Sequence, residues 1–342
     1  MKTSRLFLLL MLMLPIAVGN VLAAGGDAAM IKAWLQYRKG NYSGAVEAYT
    51  RVIESNPQSA EAYNNRGLCK AALGDYDGAV ADYGKALKFD SGMAAAYNNR
   101  GLARAKAGRY SEAIVDYSQA LRINAVLPEV YNNIGLARVA LGDHFSALDE
   151  FNSAISLKPY YPEALFNRGR TRQQLSNHKA ALRDFLMVIS YNRNYAQPYY
   201  YCGISRSATG DNKGAIGDFS RAILLAPGYH EAYAARAVAR IRTNDFRGAL
   251  DDYNRAIELQ AGSAELFYRR ALVRVKLSDY AGAEADCSEA LEKRKRYGEA
   301  YFLRGIVRGE LGNRKGMLSD LRLSSESGYG EARKLLKKRR NR

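Results

Sequence analysis

Three sets of polar side chains in this sequence recur at a spacing that could do chemistry. A basic residue stands at Lys70, Arg104, Arg138, Arg172, Arg206, Arg240, Arg274 and Arg308, and an acidic one at Asp82, Asp116, Glu150, Asp184, Asp218, Asp252, Asp286 and Asp320. Both are lost together at one place, where Gln36 and Ala48 stand. Either each cation neutralises an acid on a packed neighbouring helix, or the arginines form a stripe for an anionic partner. The acid matching every cation favours pairing, since a ligand stripe needs no such match. A second basic column, Arg66, Arg100, Arg168, Arg236, Arg270 and Arg304, lies four residues before the first and so on the same helix face, with no obvious acid column of its own. It reads as a solvated flank. The third set is Asn65, Asn99, Asn133 and Asn167. Asparagine is a poor helix former, and its amide, both donor and acceptor, can grip the backbone of an extended peptide whatever the side chains.

Catalysis has no comparable footing. The three histidines and three cysteines are few, and Cys69, Cys202 and Cys287 have neither metal-ligand spacing nor neighbours close enough to bridge. His144 and His178 read as packing positions. No nucleotide loop, no G-x-S-x-G elbow and no H-E-x-x-H motif is present. A non-enzymatic protein is expected, with no catalytic residue, no metal and no cofactor.

The elements that must carry these columns follow from a strict period. An aromatic-rich column, Tyr63, Tyr97, Tyr131, Leu165, Tyr199, Tyr233, Phe267 and Tyr301, recurs every 34 residues without insertion or deletion. Four residues later comes a small residue, Gly67, Gly101, Gly135, Gly169, Gly203, Ala237, Ala271 and Gly305. Alanine at Ala79, Ala113, Ala147, Ala181, Ala215 and Ala249 is followed four residues on by Tyr83, Tyr117, Phe151, Phe185, Phe219 and Tyr253, with Cys287 in that place in the eighth copy and Leu321 in the last. Spacings of three and four predict two short amphipathic helices per copy, crossing where the small column lies. Turn residues such as Gly74-Asp75 separate the helices, and Pro57, Pro128, Pro159, Pro162, Pro198 and Pro227 fall at the junctions. Although 342 residues would ordinarily suggest two domains, the period predicts one continuous array over 26–331.

This pattern resembles the tetratricopeptide repeat family, whose unit is a helix-turn-helix with this small and aromatic signature. Nine in-phase copies cover 26–331, the first and last degraded as terminal caps are. The resemblance implies an all-α fold, a right-handed superhelical solenoid whose first helices line a concave groove. The Asn column looks like the asparagine ladder on the inner face of peptide-binding members. The Lys and Asn pair of the family's carboxylate clamp is missing, with Asn64, Asn98 and Asn132, and Leu68, Leu102 and Leu136, in its place. From the sixth copy the ladder column becomes Tyr201, Ala235, Arg269 and Leu303, and the preceding column turns aromatic with Phe166, Tyr200, Tyr268 and Phe302. The candidate peptide site therefore has a polar zone, Asn65, Asn99, Asn133 and Asn167, and an aromatic zone, Phe166, Tyr200, Tyr201, Tyr268 and Phe302. Inheritance of the ladder by duplication, without function, is the alternative.

The ends of the chain suggest compartment and partners. Lys2 and Arg5 precede an apolar run from Leu6 to Val18, too short for the roughly 20 residues of a bilayer span, and small residues flank a cut after Ala23. A cleavable signal peptide over 1–23 and export, into a bacterial periplasm, are expected; an uncleaved inner-membrane anchor is the alternative. Of the formal charge of +17, a large part sits in a basic capping helix and tail over 332–342, at Arg333, Lys334, Lys337, Lys338, Arg339, Arg340 and Arg342. Export argues against nucleic acid as its target. The expected function is a scaffold that holds a protein or extended peptide, with no small-molecule substrate. The alternative is a tethering module whose basic residues bind an anionic envelope component, lipid or wall polymer. A solubilising end-cap is the structural reading of the same tail.

Overall fold

In the computed structural model, which describes residues 28–340, the chain is helical with no strand among the described residues. The expected signal peptide lies outside them. Contacts gather the chain into two compact bodies, one reaching Asn177 and one starting at His178, so that the division falls inside the fifth repeat. The N-terminal body holds α1 (Ala28–Arg38), α2 (Tyr42–Ser55), α3 (Ala60–Ala72), α4 (Tyr76–Phe89), α5 (Ala94–Lys106), α6 (Tyr110–Ile123), α7 (Pro128–Ala140), α8 (His144–Leu157) and α9 (Pro162–Gln174). The C-terminal body holds α10 (His178–Tyr191), α11 (Ala196–Ala208), α12 (Asn212–Leu225), α13 (His230–Arg242), α14 (Phe246–Leu259), α15 (Ala264–Lys276), α16 (Tyr280–Lys293), α17 (Gly298–Glu310), α18 (Arg314–Glu326) and α19 (Gly330–Arg340). Odd-numbered helices up to α17 are the first helices of the repeats. Within each body a first helix packs on its own second helix, which packs on the next first helix. No helix among them is long and apolar enough to cross a membrane.

The small and aromatic columns meet at the helix crossing. A Cβ on Gly101, Gly135 or Gly203 would stand 2.6 Å from the ring of Tyr117, Phe151 or Phe219 in the same hairpin, and these rings are buried. Only a missing side chain on the first helix lets the ring of the second seat there. Most second helices are then capped by their turn: Asn41, Asp75, Asp143, Asp211, Asp245, Asp279 and Asn313 accept from the backbone N–H three residues on, whereas Arg109 before α6 makes no such bond. The ends are closed as terminal repeats require. Met30 and Ala33 of α1 pack against Ala45 and Tyr49, and Ala332, Leu335 and Leu336 of α19 pack against Met317 and Leu321.

The residue before each of these caps lies in the left-handed region. It is Gly at Gly40, Gly74, Gly108, Gly142, Gly210 and Gly312, but Ser176, Asn244 and Ser278 adopt the same conformation at φ 59°, 62° and 60°. A Cβ is disfavoured there, and serine has less local compensation than asparagine. Ser278→Gly is therefore expected to raise stability by about 0.5–1 kcal/mol, less the extra unfolded-state freedom of glycine. Thermal unfolding checks this, with Gly142→Ala moving the melting temperature the other way.

Candidate functional site

The charged columns converge on one carboxylate per hairpin. Arg66 donates from Nε and Nη2 to the two oxygens of buried Asp82 at 2.8 and 2.7 Å, and Lys70, one turn on, reaches the same group at 2.8 Å. Asp116 is held in this way by Arg100 and Arg104, Asp252 by Arg236 and Arg240, Asp286 by Arg270 and Arg274, and Asp320 by Arg304 and Arg308. The pairing expected of the first basic column is present. The second column is corrected: Arg66, Arg100, Arg236, Arg270 and Arg304 are no solvated flank but the bidentate partners of the same acids, and Arg168 donates to Asn152. Two residues four apart on one helix face the same point, and a carboxylate has lone pairs enough for both. Most of these arginines reach further. Arg66, Arg236, Arg270 and Arg304 donate from Nη1 to Thr50, Ser220, Asn254 and Ser288 on the second helix of the preceding repeat. Arg66, Arg100, Arg236, Arg270 and Arg304 also lie 5.4–5.6 Å over the ring three residues earlier. These cations are spent on the fold rather than offered to a ligand.

Two repeats lack the bidentate arginine. Ile134 stands in its place in the fourth and Cys202 in the sixth. Glu150 then has Arg138 Nε at 3.2 Å and Asp218 has Arg206 Nε at 3.3 Å. Burial pushes the Glu150 carboxyl up. It pushes Asp218 up to about 6, against the pull of Arg206 and with a push from Asp211. The cysteines are buried, and burial raises the Cys69 and Cys287 thiols to about 12, so neither is a thiolate nucleophile.

The asparagine ladder is not an open surface. Asn99 and Asn133 are fully buried, and Asn65 and Asn167 nearly so. Asn99 Nδ2 donates to Asn64 Oδ1 at 3.5 Å, Asn133 to Asn98 at 3.1 Å and Asn167 to Asn132 at 2.9 Å. Each amide therefore bonds the neighbouring column of the preceding repeat, and Leu68, Leu102 and Leu136 bury beside them. Against the expectation that this column grips a peptide, Asn99, Asn133 and Asn167 have their Nδ2 bonded within the fold, and Asn65 is buried as well. Phe166 is also buried.

In the C-terminal body the same columns open. Ala234 and Ala235 occupy both asparagine positions of α13, and a cavity of about 280 Å³ forms there, lined by Tyr200 and Leu266 with His230, Glu231 and Glu265 at its polar side. It adjoins a cavity of about 400 Å³ whose apolar wall includes Ile241, Phe246, Tyr253, Leu272 and Val275, with Arg242 and Lys276 beside it; Val238 and Arg269 line both. Glu265 is pushed up by burial, but the Tyr297 hydroxyl at 2.6 Å and Arg269 at 2.7 Å more than offset this and hold it below its ordinary value. Of the aromatic zone, Tyr200 lines the smaller of these two cavities. Tyr201 stacks on Phe185 at 5.6 Å, Tyr268 lies 5.1 Å from Tyr297, and Phe302 lies 5.1 Å from Tyr329. Val238, Leu272, Arg242 and Lys276 escaped the sequence reading. The column of Arg242 and Lys276 carries no signal for them, since it also holds Arg38, Lys106, Gln174 and Glu310 among its alanines.

On α19 the basic residues Arg333, Lys334, Lys337 and Lys338 are exposed, while Leu335 and Leu336 turn inward. The side chains of Arg339 and Arg340 lie outside the described part. The capping helix and the basic face are thus two sides of one element.

Family models described as "Tetratricopeptide repeat" match residues 32–94, 203–264 and 128–161, and one described as "TPR repeat" matches 101–142. The chain belongs to the tetratricopeptide repeat family. Among solved structures, a tetratricopeptide repeat protein from Parabacteroides merdae is 20% identical over 73% of this chain and 99% of its own, with a TM-score of 0.55. The hetero-tetramer Cut9–Hcn1 of APC/C is similar at 16% identity over 82% of this chain and 55% of that one, TM-score 0.54. Both show the shared fold. YrrB, described as a TPR protein with an unusual peptide-binding site, is 27% identical over 56% of this chain and 98% of its own, TM-score 0.49. A comparison with curated proteins gives no match. As a tetratricopeptide repeat protein the chain is a protein-interaction scaffold.

Removing one clamp acid strands two cations, so Asp116→Ala is expected to destabilise this repeat protein by about 3–5 kcal/mol, with a coupling to Arg100→Ala of about 0.5–3 kcal/mol in a double-mutant cycle. Asp218 sets a pH dependence. Its native value of about 6 lies above the unfolded value near 3.9, so the native state holds the proton more tightly. Its contribution to stability is therefore highest below about pH 4 and falls as pH rises through 6. Cys202→Arg supplies the missing cation, and urea unfolding at pH 5 and 7.5 should show this slope reduced and stability at pH 7.5 raised.

Proposed function

We propose that this protein is an exported, non-enzymatic scaffold that holds a segment of another protein along the first helices α11, α13 and α15 of its C-terminal body. One observation carries the reading: a cavity lies where Ala234 and Ala235 replace the paired asparagines that fill the face in the N-terminal body, and a second, larger one adjoins it through Val238 and Arg269. A mostly apolar recess with a few polar groups at one side is the usual form of a recognition site, and its length along successive helices suits an extended chain. The polar zone moves out of the site, and Tyr200 remains in it. The compartment rests on the N-terminal pattern, Lys2 and Arg5 before the apolar run and small residues at Ala23-Ala24.

A second reading has its own support. Arg333, Lys334, Lys337 and Lys338 form an exposed basic face on α19, fit to bind anionic lipid or wall polymer. The two readings separate cleanly because they use different surfaces.

A photo-crosslinking side chain at Ala235 of the exported protein is expected to give partner adducts, and one at Leu224, which is 68% exposed on α12, to give none. Equal adducts from both positions would remove the cavities from the site. Mass spectrometry of the purified exported form should find its first residue at Ala24. Replacing Arg333, Lys334, Lys337 and Lys338 with Gln leaves Leu335 and Leu336 to cap the stack, so helicity should hold. Binding to vesicles containing phosphatidylglycerol, measured by sedimentation at low salt, should fall if the tether reading is right.

A further inference from the structure

Cations on the first helices of this protein are, as a rule, matched by acids. Lys70, Arg104, Arg240, Arg274 and Arg308 all have a buried carboxylate within reach. Arg242 and Lys276 break the rule. They occupy equivalent positions at the ends of α13 and α15, where the other repeats have Arg38, Ala72, Lys106, Ala140, Gln174, Ala208 and Glu310. Both line the larger cavity. Arg242 donates from Nη1 to the carbonyl and hydroxyl oxygens of Ser207 at 3.0 and 2.7 Å. Neither Arg242 nor Lys276 has an acidic partner among the described residues. A cation in a last helical turn gains from the helix dipole. The alanines at the same position in other repeats show that the helices end well without one.

Apart from Arg269, whose charge is taken by Glu265, the rest of the cavity wall is mostly apolar, and at about 400 Å³ it has room for a large side chain such as Leu, Met or Phe. The neighbouring cavity carries the opposite sign. Glu231 and Glu265 stand at its polar side, and Arg269, which lines both cavities, is bonded to Glu265. The free positive charge is thus confined to the end marked by Arg242 and Lys276.

Resting on the groove reading above, we infer that this cavity takes an apolar side chain of an extended peptide whose adjacent residues are acidic. The apolar side chain leaves water in the recess, and the acids meet Arg242 and Lys276 at its edge, where opposite charge selects partners and register. The anion is a side-chain carboxylate within the peptide, not a chain terminus.

A phage-displayed library of random dodecapeptides, selected on the full mature chain, tests this. Peptides recovered on the wild type should carry Leu, Ile, Met or Phe with Asp or Glu within three positions. The Arg242→Glu/Lys276→Glu variant should instead recover an apolar residue flanked by Lys or Arg, with unchanged helicity by circular dichroism. Synthetic copies with amidated C-termini should bind as well as free ones, lose about tenfold in affinity on Asp→Asn replacement and weaken as salt rises from 50 to 300 mM. Unchanged neighbours after charge reversal would overturn the acidic preference while leaving the groove reading intact. Loss of binding on amidation would overturn the side-chain assignment. Val238→Phe fills both cavities and should abolish recovery of the selected set; Ala235→Leu, a smaller change in the adjoining recess, serves if that variant does not fold. Recovery unaffected by either, in folded protein, would sink the groove reading itself.

Discussion

A carboxylate buried between two helices has to be neutralised, and in this chain the rest of the hairpin is arranged around doing so. Five repeats hold an aspartate under two cations drawn from successive turns of the first helix. The ion pair alone would give back little of the desolvation cost. What makes it effective is the rest of the guanidinium: Arg66, Arg236, Arg270 and Arg304 each take both oxygens of the acid, lie over a ring on their own helix and bond the preceding repeat. One side chain thereby joins three helices. A single inserted residue would turn it away from its acid, which is a physical reason for a period kept without slippage.

Neighbouring repeats use that frame in opposite ways. In the N-terminal body, paired asparagines and leucines fill the face of the first helices, and the amide bonds between Asn133 and Asn98 and between Asn167 and Asn132 hold consecutive helices in register. In the C-terminal body, Ala234 and Ala235 delete both amides from α13, and nothing of equal size replaces them. The clamp at Asp252 and the crossing at Tyr253 hold α13 and α14 together regardless, so the face can be emptied without loosening the hairpin.

The place where the clamp is weakest adjoins this opening. Cys202 follows Tyr200 and Tyr201 on α11, and Tyr200 lies 5.8 Å from Phe219, the residue after Asp218. Segments that rearrange on binding come from the less stable parts of a fold. A hairpin held by one arginine at 3.3 Å, beside the seventh, held by two, is such a part.

The sequence alone determined the helices, the turns and the partners of the first basic column, because each depends on residues a few positions apart: Gly135 four after Tyr131, Asp75 after Gly74, Arg104 and Asp116 filled and lost in step with their columns. It also marked where the face changes, since the change from Asn133 to Ala235 is visible in the column itself. The fate of each polar side chain was settled only by tertiary contact. Arg66 and Lys70 look like two columns with one acid between them until the structure shows a single carboxylate accepting from both. Asn99 looks like a free amide until its partner, Asn64, arrives from the preceding repeat, 35 residues away. A period tells which residues recur on one face, whereas whether that face meets water, a partner or the next repeat depends on how closely the helices pack, and that distance is a property of the folded chain.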